Sequence, residues 1–539
     1  MFCHITCAQC IHDTLINIDK IIAHYGSNIP GFQIAISRDG NVIYSKAVGI
    51  ANLEYGIPIT KETVIEAGSV SKQITAAAVL LLEQQGKLSL KDNIRKFLPE
   101  LSQFSTPVTI SDLIYQTSGL HDWTDIAEIG GLPNSIRNYS NDDVLFITSR
   151  QKRLNFAPDS AYLYSNTNYV LLAIIVKRVS GKSLADYTGE QIFKPAGMTH
   201  TQWRSSAHKI VTNRAVAYSL TKDGYRSDMP IEDSYGAGGL LTTAEDLLKW
   251  NQYYLSGKFG NPSLLKKQIS GPKLSSGETN VYAAGLFVGE NKGWRFISHG
   301  GATASYRAKL ESFPELNLSE LNLSIAWLSN TSQFDTARIN LISEIEKHLV
   351  PVRNSSVNAD KIPIINLAYT RLKNLAGLYN SGQVNQPTEI LLKDGKLNVF
   401  DTDLKPVSAT KFMLAKYVFD FNKSDQLTVT PPNSDQILFY KSAAASLTFN
   451  DSHLKDFEGN FQSNETQSSF SVAIKKGRLV LVKASANSFP LISITKDIFA
   501  IDGMLADLHF IRNKRGQVSG LAINMQRSLN IEFVKYGQR

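Results

Sequence analysis

A serine and a lysine stand three residues apart in the stretch EAGSVSKQITAAAVLLLEQQG, as Ser69 and Lys72. Residues i and i+3 share one face of a helix, so a desolvated Lys72 could accept the proton of the Ser69 hydroxyl and make it a nucleophile. The pattern S-x-x-K occurs at least nine times in the chain, so its spacing alone does not separate a catalytic pair from coincidence. The Ser69 copy differs because it opens a predicted helix over residues 69–85, where the first backbone N–H groups have no helical partner.

A tyrosine and an asparagine form the second candidate group, as Tyr164 and Asn166 in FAPDSAYLYSNTNYVLLAIIV. Both come directly before an apolar segment with the composition of a helix. A tyrosine O–H can relay a proton, and an asparagine amide can hold a substrate carbonyl or the lysine. We therefore expect both side chains in one cleft with Ser69.

The third candidate group lies on a glycine-containing strand, ISHGGATASYRAKL, and consists of His299, Gly300, Gly301 and Ala302. Glycines on a strand let a substrate lie against the backbone, where an N–H can stabilise an oxyanion. A single histidine is more often structural, so the interpretation of His299 as functional depends on the other two groups.

The surrounding elements predict how these groups are positioned. Alternating apolar and polar residues around Asp39 and Gly40 indicate a β-hairpin over residues 31–49. Helices are expected at 111–116, 166–179, 243–254 and 336–349, and strands at 283–288, 294–299, 306–312 and 324–330. This order predicts an α+β fold, with an antiparallel sheet whose ends meet across a helical insertion.

The C-terminal third has a different pattern. A polar, proline-bounded segment at 351–363 predicts a linker. Beyond it LKNLAGLY (372–379) matches LKDFEGNF (454–461), and KDGKLNV (393–399) matches KKGRLVL (475–481), both at an offset of 82 residues. This internal repeat predicts two successive small antiparallel β-barrels, because closure removes exposed strand edges.

Composition excludes several classes of protein. The 539 residues include 56 basic and 48 acidic side chains without a run of five like charges, which indicates a mildly basic surface and no nucleic-acid partner. The longest apolar runs, at 76–82 and 169–176, are far shorter than the ~20 residues of a transmembrane helix. We therefore expect no membrane-spanning segment.

The first residues hold all three cysteines, Cys3, Cys7 and Cys10. Their C-x3-C-x2-C spacing can hold an iron–sulfur cluster, but only two residues precede it, which favours a frayed terminal segment. The same stretch has no Lys or Arg before Lys20 and no sufficiently long apolar segment, so it is not a clear signal peptide. A cytosolic chain and a chain that lacks its leader both remain open.

The motifs S-x-x-K, Y-x-N and H-x-G, in this order and spacing, resemble those of the penicillin-recognising serine hydrolases. That family includes class C β-lactamases, DD-peptidases, related esterases and D-aminopeptidases. The stretches LIYQTSGLHDW, IFKPAGMTHT and YGAGGLLTTAEDLLKW are similar to the same family, and the likeness covers about residues 25–350. It implies a β-lactamase/transpeptidase-like catalytic domain.

The resemblance also implies roles for the candidate residues. Ser69 would be the nucleophile, with Lys72 as its base or proton shuttle. Tyr164 would complete the proton path to the leaving group, and Asn166 would position the substrate.

In the third motif the chain departs from many relatives. His299 would take the place of the lysine in K-T-G, and the N–H groups of Ser69 and Ala302 would form the oxyanion hole, beside Gly300 and Gly301. Gly300 stands where many relatives have a hydroxyl, and a histidine that can be neutral replaces a fixed cation. Both departures weaken recognition of a substrate carboxylate by this motif.

The predicted layout resembles that of three-domain D-aminopeptidases, which remove an N-terminal D-residue from short peptides and use part of a barrel to shape the site. The expected units are an N-terminal segment (1–25), a catalytic domain (26–350), a linker (351–369) and two lipocalin-like barrels (370–450 and 451–539).

The favoured interpretation is a serine hydrolase that forms an acyl-enzyme on small peptides or amides with D-residues. An esterase or β-lactamase of the same family, and a non-catalytic protein that binds peptides or cell-wall fragments, remain alternatives. No metal or organic cofactor is implied, and the expected partner is a small molecule or short peptide. The resemblance favours a periplasmic or secreted location and leaves a homodimer open.

Overall fold

In a computed structural model, the first and larger part of the chain is built on a six-stranded antiparallel sheet. The structure describes residues 15–277, 279–314, 322–352, 365–381, 388–400, 402–414, 417–423, 425–430, 437–441, 451–483 and 488–537. The first strands are β1 (Phe32–Arg38), β2 (Asn41–Val48), β3 (Ile50–Asn52), β4 (Ile57–Pro58), β5 (Ile65–Glu66), β6 (Gln202–Trp203), β7 (Tyr218–Thr221), β8 (Gly224–Ser227), β9 (Leu240–Thr242), β10 (Phe287–Asn291), β11 (Trp294–Thr303), β12 (Tyr306–Phe313) and β13 (Leu323–Ser329). The large sheet has the order β10-β11-β12-β13-β1-β2.

The two ends of this region meet in the sheet, as the sequence predicts. Strands β1 and β2 form the expected hairpin, and Asp39 and Gly40 turn the chain with φ of 51° and 77°. Strand β1 also pairs with β13, from Phe32 opposite Ser329 to Arg38 opposite Leu323. The chain between β2 and β10 is therefore an insertion that connects the two edge strands of the sheet.

Helices make up most of this insertion and its flanks. They are α1 (15–22), α2 (Ser71–Gln84), α3 (Ile110–Ile114), α4 (Trp123–Ile129), α5 (Asn141–Ser149), α6 (Asn166–Ser180), α7 (Leu184–Thr188), α8 (Lys194–Ala196), α9 (Ala244–Leu255), α10 (Pro262–Gln268) and α11 (Asp335–Leu349). Helix α2 is the central one, because residues 71–82 are all buried. A helix that is buried on every side can hold a lysine out of water.

One predicted strand is wrong in part. Residues 283–286 precede β10 instead of belonging to it, and the strand begins at Phe287. Gly285 has a φ of +77° and lies against α2, where a Cβ would stand 2.6 Å from the Cα of Gln73. The close approach of two backbones replaces strand pairing at this point.

The C-terminal part holds two β units, each preceded by a short helix. The first contains α12 (Tyr369–Leu375), β14 (Gly377–Asn380), β15 (Thr388–Lys393), β16 (Lys396–Val399), β17 (Thr402–Asp403), β18 (Lys405–Pro406), β19 (Lys411–Leu414), β20 (Tyr417–Lys423), β21 (Gln426–Thr430) and β22 (Ile437–Lys441). The second contains α13 (Asp451–Phe457), β23 (Gly459–Ser463), β24 (Ser468–Lys475), β25 (Arg478–Lys483), β26 (Ser488–Ser493), β27 (Ile498–Ile501), β28 (Ala506–Arg512), β29 (Val518–Met525) and β30 (Ile531–Tyr536). The second unit is a closed eight-stranded barrel, whereas the first is a nearly closed sheet whose edges, β17 and β18, are separated by Leu404.

The internal repeat is visible in the backbone. Gly377 and Gly459, which are 82 positions apart, follow α12 and α13 with φ of 152° and 155°. The turns at Gly395 and Gly477 have the same offset and the same φ of 74°. The sequence matches therefore mark the same turn and strand positions in both units.

The second barrel packs directly on the first part of the chain, which contains the six-stranded sheet. Ile126 and Ile129 of α4 belong to the same apolar cluster as the barrel interior, which includes Phe457, Phe461 and Leu521. The division of the chain at residues 350, 369 and 450 stays a prediction, and Cys3, Cys7 and Cys10 lie outside the described residues. Within the described ranges, no helix combines the length and apolar content needed to cross a membrane.

Candidate active site

Ser69 lies on a tight turn that leads directly into α2. The segment Gly68–Val70 is a single 3-10 turn, and Gly68 has a φ of +49° that favours glycine. Lys72 follows in the first turn of α2 with 0% of its surface exposed, and its Nζ donates a hydrogen bond of 3.1 Å to Ser69 Oγ. The structure therefore brings the predicted pair into contact.

Lys72 has two further acceptors. Its Nζ donates to Asn166 Oδ1 at 2.8 Å and to the carbonyl oxygen of Ala237 at 2.7 Å. With Ser69 Oγ these acceptors match the three protons of an ammonium group. Loss of one proton leaves a nitrogen lone pair already directed at this set of atoms, which is the arrangement a serine base needs.

Asn166 is the first residue of α6, and Asp122 fixes its orientation. Oδ2 of the buried Asp122 accepts hydrogen bonds from the Asn166 backbone N–H at 2.8 Å and from its Nδ2 at 3.0 Å. The Nδ2 side of the amide thus faces Asp122 and the Oδ1 side faces Lys72.

Tyr164 lies between two cations. Its ring centroid is 4.6 Å from Lys72 Nζ and 4.7 Å from the guanidinium of Arg527, which belongs to the second barrel. The His299 ring is 6.1 Å away. The predicted tyrosine therefore stands beside the predicted lysine and histidine.

His299 is buried and neutral. Burial, together with the nearby charge of Lys72, lowers the pKa of His299 from 6.5 to about 3. Its Nδ1 lies 2.6 Å from the carbonyl oxygen of Gly300, which can only accept, so Nδ1 carries the proton and Nε2 accepts from the hydroxyl of Tyr282 at 3.1 Å. His299 thus supplies no fixed cation, in line with the expectation from the third motif.

The glycines of β11 have different surroundings from each other. A Cβ on Gly301 would stand 2.0 Å from the carbonyl oxygen of Ala67, so this glycine allows the strand to approach the turn of Ser69. A Cβ on Gly68 would stand 2.7 Å from the amide nitrogen of Ala302, which brings that N–H beside Ser69. Gly300 has more room, with its nearest neighbours 3.9 Å or more from a Cβ. The missing side chain of Gly301 is therefore required by the protein's own backbone, and the expectation that both glycines also serve a substrate stays a prediction.

A cleft of about 660 Å³ opens above these groups. It is lined by seven of the eight predicted site residues, Ser69, Tyr164, Asn166, His299, Gly300, Gly301 and Ala302. Lys72 lies beneath its floor. Strand β10 pairs with β11 only as far as Ser298, so the segment that carries the last four of these residues has one edge open to the cleft.

Four residues at the site were missed by sequence reasoning. Asp122 and Ala237 lie within stretches that resemble the family, so this signal could have indicated them. Tyr282 and Arg527 have no motif of their own. Only their contacts with His299 and Tyr164 reveal them.

A buried ion cluster supports the turn of Ser69 from behind. Arg204 donates to both carboxylate oxygens of Glu66, at 3.1 and 3.2 Å, and Arg214 donates to the same carboxylate at 3.2 Å. Glu66 and Arg204 have at most 1% of their side chains exposed. Such a pair is costly to break, because the remaining charge stays buried.

The structure thus combines an antiparallel sheet, a helical insertion, and a serine that receives a hydrogen bond from a buried lysine. The sequence matches the Beta-lactamase family model over residues 18–347, and the chain belongs to this family of serine hydrolases. In the described part of the chain, no group of three or more His, Cys, Asp or Glu side chains could hold a metal ion.

The chain is also similar to several named proteins. The chain is 27% identical to Protein flp of Staphylococcus aureus (strain MRSA252) over 72% of its length and 79% of that protein. It is 28% identical to the D-aminopeptidase of Brucella anthropi over 54% of its length and 56% of that protein. A similar fold occurs in the octameric penicillin-binding protein homologue from Pyrococcus abyssi, with a TM-score of 0.53, 22% identity, and coverage of 92% of this chain and 98% of that one.

Proposed function

We propose that the protein hydrolyses small peptides or amides that carry an N-terminal D-residue, through an acyl-enzyme on Ser69. The observation that carries the proposal is the 3.1 Å hydrogen bond from the buried Lys72 Nζ to Ser69 Oγ at the floor of the cleft. Other S-x-x-K copies lack this placement. Of the serines in four such copies, Ser69, Ser206, Ser263 and Ser493, only Ser69 lines the cleft.

In the proposed reaction Lys72 first gives up one of its three protons to solvent, and it then takes the proton of Ser69 while Oγ attacks the substrate carbonyl carbon. The carbonyl oxygen becomes an oxyanion, held by the N–H groups of Ser69 and Ala302. Tyr164 passes a proton to the leaving amine as the C–N bond breaks, and Lys72 restores it to the tyrosine. Water then attacks the ester and returns the proton to the same relay, which releases the acid and free Ser69.

The preference for D-residues rests on the relatives and the layout. The D-aminopeptidase of Brucella anthropi is among the similar proteins, and the presence of two β units after the catalytic part agrees with the three-domain interpretation. The neutral His299 and the bare Gly300 make the third motif poorly suited to the carboxylate of a β-lactam, which favours an amidase over a β-lactamase.

The test is release of nitroaniline from D-alanine p-nitroanilide, with the L-isomer, a chromogenic cephalosporin and a p-nitrophenyl ester alongside. We expect D-selective release that is lost in Ser69→Ala. The matched control is Ser493→Ala, which alters an exposed serine of another S-x-x-K copy on β26. Release from the ester or cephalosporin alone would replace the D-aminopeptidase proposal with the esterase or β-lactamase alternative. No Ser69-dependent turnover of any substrate would favour a binding protein.

A further inference from the structure

We propose that Arg527, on the loop between β29 and β30 of the second barrel, is a binding site for a carboxylate on the substrate. The proposal rests on the proposed function, because the carboxylate is part of a molecule that occupies the same cleft. Arg527 lines that cleft together with Ser69 and Tyr164. The proposal thus gives the second barrel a role in substrate choice.

The loop that carries Arg527 is fixed to the catalytic part by its backbone. The Arg527 N–H donates to Asp125 Oδ2 at 2.9 Å, and its carbonyl oxygen accepts from Asn155 Nδ2 at 3.0 Å. The Leu529 N–H donates to Asn155 Oδ1 at 2.8 Å, and the Asp122 N–H donates to Ser528 Oγ at 3.1 Å. A group held in this way is pre-organised, so less entropy is lost when a ligand binds to it.

The Arg527 side chain is placed to meet a ligand. It has 28% of its surface exposed, and its guanidinium lies over the Tyr164 ring. Nη1 forms an ion pair with Asp122 Oδ2 at 3.8 Å, a distance too long for a hydrogen bond. That oxygen already accepts two hydrogen bonds from Asn166. A guanidinium has five donors in a planar fork that matches a carboxylate.

The other charges of the cleft are compensated by arginines. Glu232 lies 3.7 Å from Arg204, which is itself buried. Asp335 pairs with Arg307 at 2.9 Å and with Arg338 at 3.4 Å. Cationic side chains thus balance or outnumber carboxylates along the lining, which favours an anionic substrate.

The third motif lacks what Arg527 supplies. His299 is neutral, and Gly300 offers no hydroxyl. A carboxylate therefore finds no charged partner at these two positions of β11, whereas the Arg527 guanidinium beside Tyr164 provides one within the same cleft.

The experiment compares two pairs of substrates that differ only in a carboxylate. One pair is D-alanyl-D-alanine and D-alanyl-D-alaninamide, and the other is the p-nitroanilides of D-glutamate and D-glutamine. We expect kcat/KM to favour the acid in at least one pair by about tenfold or more, and Arg527→Gln to remove that preference, with partial rescue in Arg527→Lys. The control is Arg153→Gln, which removes an arginine that contacts Glu532 of the same barrel without lining the cleft. It should keep the wild-type ratio.

Calorimetry measures binding at the anion site independently of turnover. The Ser69→Ala variant is titrated with D-alanyl-D-alanine and with D-alanyl-D-alaninamide. Loss of acid preference on adding Arg527→Gln supports the proposal even when no substrate is cleaved. Acid-to-amide ratios that are equal in the parent proteins and their Arg527→Gln variants, in turnover and in binding, would overturn it. Ser69-dependent cleavage of the neutral substrates would then still support the proposed function.

Discussion

Asp122 accepts two hydrogen bonds from Asn166, one from its backbone and one from its side-chain amide, and so decides which end of that amide faces Lys72. An amide has a donor end and an acceptor end, and only the acceptor end can accept a hydrogen bond from the lysine. Asp122 is thus a positioning residue, one contact removed from the Lys72 and Ser69 pair.

Replacing Asp122 by alanine should lower kcat/KM about 10- to 100-fold, because Asn166 loses the group that orients its amide. Asp122 also accepts from the Thr124 N–H at the start of α4, so some stability is lost as well. Asp143→Ala removes a capping contact at the start of α5, where Asp143 Oδ2 accepts from the Ser140 N–H at 2.9 Å, and serves as the control for that loss. Asp122→Asn, which keeps an acceptor, should retain more activity than Asp122→Ala. Equal activity in Asp122→Ala and Asp143→Ala would contradict the positioning role.

Lys72→Met should reduce kcat by roughly 10²- to 10⁴-fold, because Ser69 loses its proton acceptor. The variant also leaves the acceptors Asn166 Oδ1 and Ala237 O without the lysine. Circular dichroism must therefore show a folded protein before rates are compared. Mass spectrometry after addition of an activated ester should show much slower acylation of Ser69 than in the wild type. Acylation at the normal rate would exclude Lys72 as the base.

The neutral state of His299 predicts how stability depends on pH. Burial and Lys72 lower the pKa of His299 to about 3, whereas an unfolded histidine takes up its proton near 6.5. The unfolded state therefore binds more protons between these values, so the contribution of His299 to stability is full above pH 6.5 and is lost as pH falls towards 3. Urea unfolding midpoints should fall less steeply with acid in His299→Gln than in the wild type. His208→Gln, at an exposed histidine, should follow the wild type. Parallel curves for all three proteins would refute the prediction.

Glu66→Gln should lower the free energy of unfolding by about 3–5 kcal/mol, because Arg204 keeps its buried charge and loses its main partner. Glu245→Gln is a suitable comparison, since Glu245 has 35% of its side chain exposed and pairs with Lys61 at 3.9 Å. That surface pair should contribute no more than about 1 kcal/mol. Chemical unfolding of both variants measures the difference, and similar losses would show that the buried cluster is not a special support of the Ser69 turn.

Local pattern was sufficient for much of the fold. The hairpin of β1 and β2, helices α2 and α6, and the repeated β units were predictable, because each depends on periodicity and turn residues that are close together in the chain. Strand β10 was misplaced because the positive φ of Gly285 follows from packing against α2, which no local pattern reports.

The site residues likewise divide into those that a local pattern predicts and those that depend on long-range packing. Ser69, Lys72, Tyr164 and Asn166 were predicted from short motifs, and the structure brings them together. Arg527 could not be predicted, since its place beside Tyr164 depends on how a separate barrel docks. Their catalytic and binding roles remain predictions that the variants above test.

The docking of the second barrel has a consequence for how the protein is made. Asp122 and Ser528 form a hydrogen bond across 406 positions of the chain. At a synthesis rate of roughly 5–20 residues per second, the ribosome needs about 20–80 seconds to add that length. During this interval the nascent chain contains Ser69 and Lys72 but not Arg527. Ile126 and Ile129 lack the barrel interior that covers them in the complete chain. The newborn chain therefore contains Ser69 and Lys72 early and Arg527 late, with the apolar face of α4 uncovered in between.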